Sequence, residues 1–416
     1  MGMLTESDAG AGATLRCAAS AATAVAVLLA WQAFIVSFGY GGNWTGLFMT
    51  GDAGPGGVPP ALVSSTYVFK NSGGFDGQFY RYVAHDPFFQ HGLNAFMDSP
   101  AVRYHRILVP GLAWLFAGGR AELIDAAFIA VVLGFAFLGT WWLARFATAR
   151  GRHPAWGAAF GLLPATLISV NRMTVDVALA ALCVGFVWYA YQDSPRWLYV
   201  ISVLAPLVRD TGAILTGACC LYALMNRRWR RAILFATAVA PAWFWYRFVA
   251  AHVSLNPAGP PTAPVKLDEV IPFWGLVHPF LGIVQEFGQL PDYPLPPVAK
   301  HFAQSLDVLA LAGILIATGF AFWQARRAAS QPESLVAALF AVLVVGLSFQ
   351  PFWIDINGYG RTMAPLVLLV AMRAAAGESL WTLAPWAMLD LRLSVQFGSQ
   401  ILGVVHGLFA RTRDFG

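Results

Sequence analysis

The feature that most limits what this chain can become is a series of long, almost uncharged apolar runs: Ala18 to Phe38, Leu123 to Ala144, Ile233 to Ala251, Leu306 to Trp323 and Leu335 to Phe352. Each carries at most one charge, near an end, and each approaches the roughly 20 residues that cross a hydrocarbon core about 30 Å thick. Of 416 residues, 58% are hydrophobic and 11% charged, against roughly a quarter charged in an ordinary soluble domain. A soluble fold could not hide that much apolar surface. The expectation is therefore an all-α, polytopic transmembrane helical bundle of about 10–12 spans, forming one transmembrane domain over 1–416. The first run follows acidic Glu6 and Asp8 and lacks a small-residue cleavage site, so it reads as a retained helix.

The net charge of +5 would suggest nucleic acid in a soluble protein, but the arginines sit in short loops, which points to membrane orientation and no nucleic-acid partner. Placing Arg145 to Arg152, Arg227 to Arg231, and Arg326 with Arg327 in the cytoplasm leaves other connections facing outward. These are a first extracytoplasmic loop at 41–106, the turns Asn171 to Asp176 and Arg209 to Thr211, a Pro-rich loop at 253–300, and Asp355 to Arg361. The alternation requires that Ile107 to Gly118 does not span. The four cysteines lie in or beside apolar runs and read as packing residues. His105, His278 and His301 lack metal-ligand spacing and read as interfacial.

Charges beside spanning segments are costly and usually mark function or pair with one another. Here they collect on the outward side, most densely in Gly74-Phe75-Asp76-Gly77-Gln78-Phe79-Tyr80-Arg81, then His85-Asp86-Pro87, then Asp98 to Arg106. Glycines flanking Asp76 would leave its carboxylate accessible. From Gln78 the spacing is helical, with Phe79, Tyr82 and Val83 on one face, Tyr80 and Arg81 on another, and an end at Asp86-Pro87. A solvated loop in which Asp and Gly merely make a turn explains the stretch about as well. Arg172 to Asp176 and Arg209-Asp210 are either structural ion pairs or phosphate contacts, for which arginine is the suited donor. Arg361, after the flexible Asn357-Gly358-Tyr359-Gly360, could add a third such contact.

The run Phe75-Asp76-Gly77-Gln78-Phe79-Tyr80, together with Asp86-Pro87, Asp98-Ser99-Pro100, Arg103 to Pro110, Arg209-Asp210-Thr211-Gly212 and Arg361 to Pro365, resembles a bacterial family of membrane proteins associated with cell-surface glycopolymer formation. That family in turn resembles the GT-C superfamily of glycosyltransferases that use lipid-linked sugars. The specific motifs lie mainly between Gly74 and Pro110, and Arg209-Asp210 stands where many relatives carry Arg-Glu. The resemblance implies a GT-C-like fold and transfer of a sugar from a polyprenyl-phosphate donor to a glycan or glycolipid acceptor. The active site would face the periplasm or exterior of a bacterial inner membrane, among its lipids. It implies Asp76 as general base, with Gln78 and Asp86 in the catalytic set. Tyr80, Arg81, Asp98, Arg103, Arg106, Arg172, Asp176, Arg209, Asp210, Tyr359 and Arg361 would contact substrate and phosphate, and Asp86 with Asp98 could hold a divalent cation. The competing classes are a transporter or flippase of lipid-linked sugars, which would be expected to show polar groups at mid-helix and repeated halves where this chain clusters its polar groups at one set of helix ends, and a non-catalytic subunit of a polysaccharide assembly complex.

Overall fold

The computed structural model describes residues 6–253, 273, 297–328, 331–347 and 351–413. Nearly all of the Pro-rich loop, with Lys266 and His278, lies outside the described residues. The described residues are mostly helical, with almost no strand, and the chain divides into two compact units, each treated by itself below.

In the first unit α1 (Glu6–Gly39) leads into the loop that carries α2 (Pro60–Val63), α3 (Asp76–His85) and α4 (Pro100–His105). There follow α5 (Leu108–Phe116), α6 (Ala121–Ala149), α7 (Pro164–Arg172), α8 (Asp176–Tyr191), α9 (Pro195–Val208), α10 (Ala213–Met225), α11 (Trp229–Ala236) and α12 (Ala240–Val253). The second unit holds α13 (Pro297–Arg327), α14 (Pro332–Gly346), α15 (Pro351–Ile354), α16 (Ile356–Ala375) and α17 (Ala384–Gln396). Most of α18 (Gly398–Arg413) returns to the first unit. Proline in the first turn of α4, α9 and α14 costs no hydrogen bond, because the missing N–H would have had no intrahelical partner.

Among the described residues four helices are long and apolar enough to cross a membrane: Gly12–Gly39, Ala121–Ala149, Trp229–Val253 and His301–Arg327. These are the first four runs expected from the sequence. The fifth, Leu335 to Phe352, is not one continuous helix, since α14 has 15 residues and stops at Gly346. The 9 residues of α5 reach about 13 Å at 1.5 Å per residue, too short to span, as the expected topology requires. Asp390 and Arg392 lie inside α17.

The first unit is built on α6, which packs against α1, α5 and α8, with α9 also packed on α8. Polar side chains stitch α1 to the end of α7: Trp31 Nε1 donates to Asn171 Oδ1 at 2.9 Å, and Gln32 Nε2 to the Val170 carbonyl at 2.8 Å. Such bonds satisfy groups that hydrocarbon would leave unsolvated, and they fix the backbone that precedes Arg172.

The first loop is mostly irregular, with one short parallel pairing of Thr50–Gly51 against Val68–Phe69. Its folded part rests on an apolar cluster in which Phe79, Tyr82 and Val83 of α3 meet Leu62, Leu93, Met97, Tyr104 and Val249. In the second unit, Asp307 on α13 accepts from Arg392 Nε at 2.7 Å and from the Tyr359 hydroxyl at 2.7 Å, a buried polar knot among α13, α16 and α17.

Candidate functional site

Helix α3 begins at Asp76 itself, two residues before Gln78, where the helical spacing of the sequence starts. Phe75 is extended (φ −141°, ψ 170°), and Asp76 in the first turn complements the positive end of the helix dipole. Asp86 caps the other end before Pro87. The two glycines beside Asp76 do different work from the accessibility first inferred. Gly74 has a positive φ of +73° that a side chain would strain. Gly77 makes room for the Arg172 carbonyl, which would lie 2.1 Å from an added Cβ. This approach brings the end of α7 against the start of α3, with the Arg172 guanidinium 4.5 Å from the centre of the Phe75 ring.

Arg103 of α4 organises the carboxylates. Its Nε and Nη2 donate to the two oxygens of Asp98 at 2.9 and 2.7 Å, and Nη2 also donates to Asp76 Oδ1 at 2.8 Å. Burial works against the charge on Arg103, but Asp76, Tyr80 and Asp98 outweigh it and hold the pKa well above its ordinary value. Asp76 keeps 15% of its side chain exposed and Asp98 40%, so solvent or a substrate can reach both. The Tyr80 hydroxyl accepts from Arg106 Nη1 at 2.5 Å and, more weakly, from Arg103 Nη1 at 3.5 Å. Arg106 is buried at a cost offset first by Tyr80 and then by Asp176, with Arg103 opposing, and its pKa also ends above the ordinary value.

A charge pair joins the two neighbouring turns. Arg209 bonds Asp176, both buried, joining the end of α9 to the start of α8. Asp210, half exposed, instead faces His105, whose Nδ1 lies 3.8 Å from Oδ1 and whose ring stacks on Tyr246 at 4.0 Å. One end of the first unit thus gathers Asp76, Tyr80, Asp98, Arg103, Arg106, Arg172, Asp176, Arg209 and Asp210. Asp176 and Arg209 count there as a buried pair.

Other candidates take structural places. Gln78, expected in the catalytic set, uses both ends of its amide to brace the glycine-rich loop, accepting from the Gly51 N–H at 3.1 Å and donating to the Gly73 carbonyl at 2.9 Å. Asp86, expected there too, is buried, and its oxygens accept from the N–H groups of Gln90, His91 and Leu93 at 2.6, 3.0 and 3.2 Å. It folds the loop after α3. Arg81, expected to bind phosphate, is wholly buried in a bidentate pair with Asp125 of α6 at 2.8 Å per contact, with Thr66 Oγ1 at 2.6 Å on Nη1. His85 Nε2 sits 3.2 Å from the same Asp125. Asp125 was missed because it lies inside an apolar run, where its isolation was the only signal.

Tyr359 and Arg361 belong to the second unit. Asn357 to Gly360, taken as flexible, form the first turn of α16, capped by Asp355, which accepts from the Asn357 N–H at 3.2 Å. Gly358 is needed because an added Cβ would stand 2.8 Å from the Phe352 carbonyl. Tyr359 is spent on Asp307, and Arg361 is buried within the helix.

Among the described residues no group of three or more His, Cys, Asp or Glu side chains is placed to hold a metal ion. The pair Asp86 and Asp98 does not fit a divalent cation, since one carboxylate is bound by backbone N–H groups and the other by Arg103. Searches of protein-family models, of curated proteins and of solved structures found no match to this chain.

Proposed function

We propose that the chain is a GT-C-like membrane glycosyltransferase, moving a sugar from a polyprenyl-phosphate donor to a glycan or glycolipid acceptor on the extracytoplasmic side. The observation that carries this reading is the position of Asp76. It is a reachable carboxylate fixed at a helix start by Arg103, with three further arginines, Arg106, Arg172 and Arg209, at the same end of the first unit.

In the proposed reaction an acceptor hydroxyl attacks the anomeric carbon while Asp76 takes its proton. The bond from that carbon to the phosphate oxygen breaks in the same displacement, which inverts the anomeric centre. The lipid phosphate leaves with the electron pair. Negative charge grows on that phosphate in the transition state, where preoriented guanidinium groups in a site of low dielectric stabilise it most. Arg172, half buried over Phe75, and Arg106 are the best placed for that task. Arg103 orients Asp76, and Arg209 holds Asp176. A donor whose lipid tail remains in the bilayer suits a site at helix ends.

The test is transfer of radiolabelled sugar from polyprenyl-phosphate donors in proteoliposomes, comparing the wild type with Asp76→Asn. Transfer by the wild type that the isosteric variant loses, at equal folded abundance, supports the proposal. If the wild type moves the lipid-linked sugar between leaflets without forming a glycosidic bond, a flippase replaces the transferase. An Asp76→Asn protein that sustains polymer formation in cells as well as the wild type would point to a non-catalytic subunit.

A further inference from the structure

The end of the first unit away from Asp76 carries a second concentration of charge, assembled from segments far apart in sequence. Helix α8 separates the two ends. Asp176 is its first residue and Tyr191 its last, and its 16 residues span about 24 Å. At the Tyr191 end, the Phe146 ring of α6 lies 5.9 Å from the Tyr191 ring, and Tyr189 stacks on Trp197 of α9 at 5.6 Å. Helix α11 joins the same end, because the Tyr199 hydroxyl of α9 is 3.0 Å from Thr237 Oγ1 and its ring 6.3 Å from Phe235. The C-terminus of α6, the turn from α8 to α9 and the turn from α10 to α11 therefore share one surface.

That surface is basic. Arg145 lies with its guanidinium over the rings of Trp141 and Trp188 at 5.0 and 4.7 Å, and Arg150 lies over Tyr191 at 5.2 Å. Stacking fixes the plane of a guanidinium while leaving the N–H groups on its edge free to meet an oxyanion. Arg152 and Arg196 are exposed beside them. The turn after α10 adds four more. Arg227 adopts a positive φ of 56°, and the closed turn it makes displays Arg227, Arg228, Arg230 and Arg231 to the outside. Asp193 is the acidic residue among the described side chains of these turns.

Charge alone would suit any polyanion, but this arginine surface runs directly into apolar, exposed helix faces. Trp197 and Trp229 are 53% and 63% exposed, and Ile233 and Leu234 of α11 are 68% and 52% exposed. Amphipathic rings at that level match the headgroup layer of a bilayer, and the aliphatic residues beyond them match acyl chains. A soluble anion would use the first feature and gain nothing from the second.

We propose that this arginine and tryptophan rim is a binding surface for anionic phospholipid headgroups, which anchor the first unit in the leaflet opposite the Asp76 end. Each arginine near an anionic leaflet strengthens attachment about fivefold at moderate ionic strength. The proposal does not depend on the glycosyl-transfer chemistry.

The test uses the full-length protein in nanodiscs of phosphatidylcholine alone or with phosphatidylglycerol of the same chain length, with inorganic phosphate as a soluble control. Thermal unfolding and native mass spectrometry report stabilisation and retained lipid. Phosphatidylglycerol should raise the melting temperature and remain bound, and salt should weaken both effects. The fourfold variant Arg227→Gln, Arg228→Gln, Arg230→Gln, Arg231→Gln should lose most of the lipid-dependent shift. The matching Arg→Lys variant should keep most of it, and Arg120→Gln, exposed at the start of α6, should keep all of it. Equal behaviour in the two lipids would overturn the proposal for the wild type, whatever the variants do. So would a phosphate effect as large as that of the lipid, or equal loss in the Arg120→Gln control.

Discussion

The α-carbon of Gly77 lies so close to the carbonyl oxygen of Arg172 that a Cβ built there would stand 2.1 Å from it and 3.0 Å from the Phe48 carbonyl. Both obstacles are backbone, so neither can rotate aside. Gly77→Ala should therefore push α3 away from the end of α7, at a cost of about 1–3 kcal/mol typical of overpacking, and move Asp76 relative to Arg172. The comparison is Gly73→Ala, where a Cβ meets nothing within 4 Å and φ is ordinary. Thermal unfolding in detergent should separate the two, and equal melting temperatures would show that the contact at Gly77 is not tight.

Arg103 spans two carboxylates through a planar fork, two bonds to Asp98 and one to Asp76. Lysine keeps the charge but not the fork. Under the proposed chemistry, Arg103→Lys should lower kcat about 10- to 100-fold through misplacement of the base, with folded yield close to normal. Asp98→Asn should do less, because Arg103 keeps its bond to Asp76. Steady-state transfer rates in proteoliposomes check both. A variant order reversed from this one would mean that Asp98 is the reacting carboxylate.

The Arg81–Asp125 pair should show the opposite pattern, large in stability and small in turnover. Arg81 is 0% exposed and Asp125 22%, and removing one member of such a buried pair costs about 3–5 kcal/mol because the other is left uncompensated. Asp125→Asn should unfold at a distinctly lower temperature, while transfer per folded molecule stays near the wild-type value. The double variant Arg81→Met with Asp125→Leu should recover part of the loss. If Asp125→Asn melts normally but fails to turn over, Arg81 belongs to the reacting site after all.

These contrasts mark where sequence reading stopped. Four helices long and apolar enough to span were legible because nothing but a bilayer or a large core accepts about 20 apolar residues in a row, and the Asp76 cluster was legible because charge beside such helices is expensive. What each charge does was not legible, because it depends on the partner that tertiary packing supplies. Asp86 before Pro87 looked reactive and is a loop cap. Arg81, three residues after Gln78 on the same helix, points to Asp125, which lies 44 positions on inside an apolar helix. Arg209 and Asp176 paired across two turns that each seemed to pair within themselves. Glycines misled in the same direction: Gly77 and Gly358 are small because backbone crowds them, not because the chain must flex there.

His105 gives a pH signature that can be signed in advance. Burial is the main effect on its imidazole and lowers the pKa, Arg106 lowers it further, and Asp210 opposes both without reversing the outcome. The folded pKa thus lies below the ordinary value of about 6.5. Between the two values the unfolded chain binds a proton that the folded protein does not, so stability rises with pH there. The contribution is fully present above about pH 6.5 and is lost as the pH falls through the folded pKa. Structurally, the neutral ring stays stacked on Tyr246, 4.0 Å away. Apparent melting temperatures taken across this range should fall more steeply with acid for the wild type than for His105→Gln, which removes the titrating group. Parallel slopes would mean that His105 titrates alike in the folded and unfolded protein, and a shallower fall for the wild type would mean that Asp210 holds the ring protonated, making the stack on Tyr246 a cationic one.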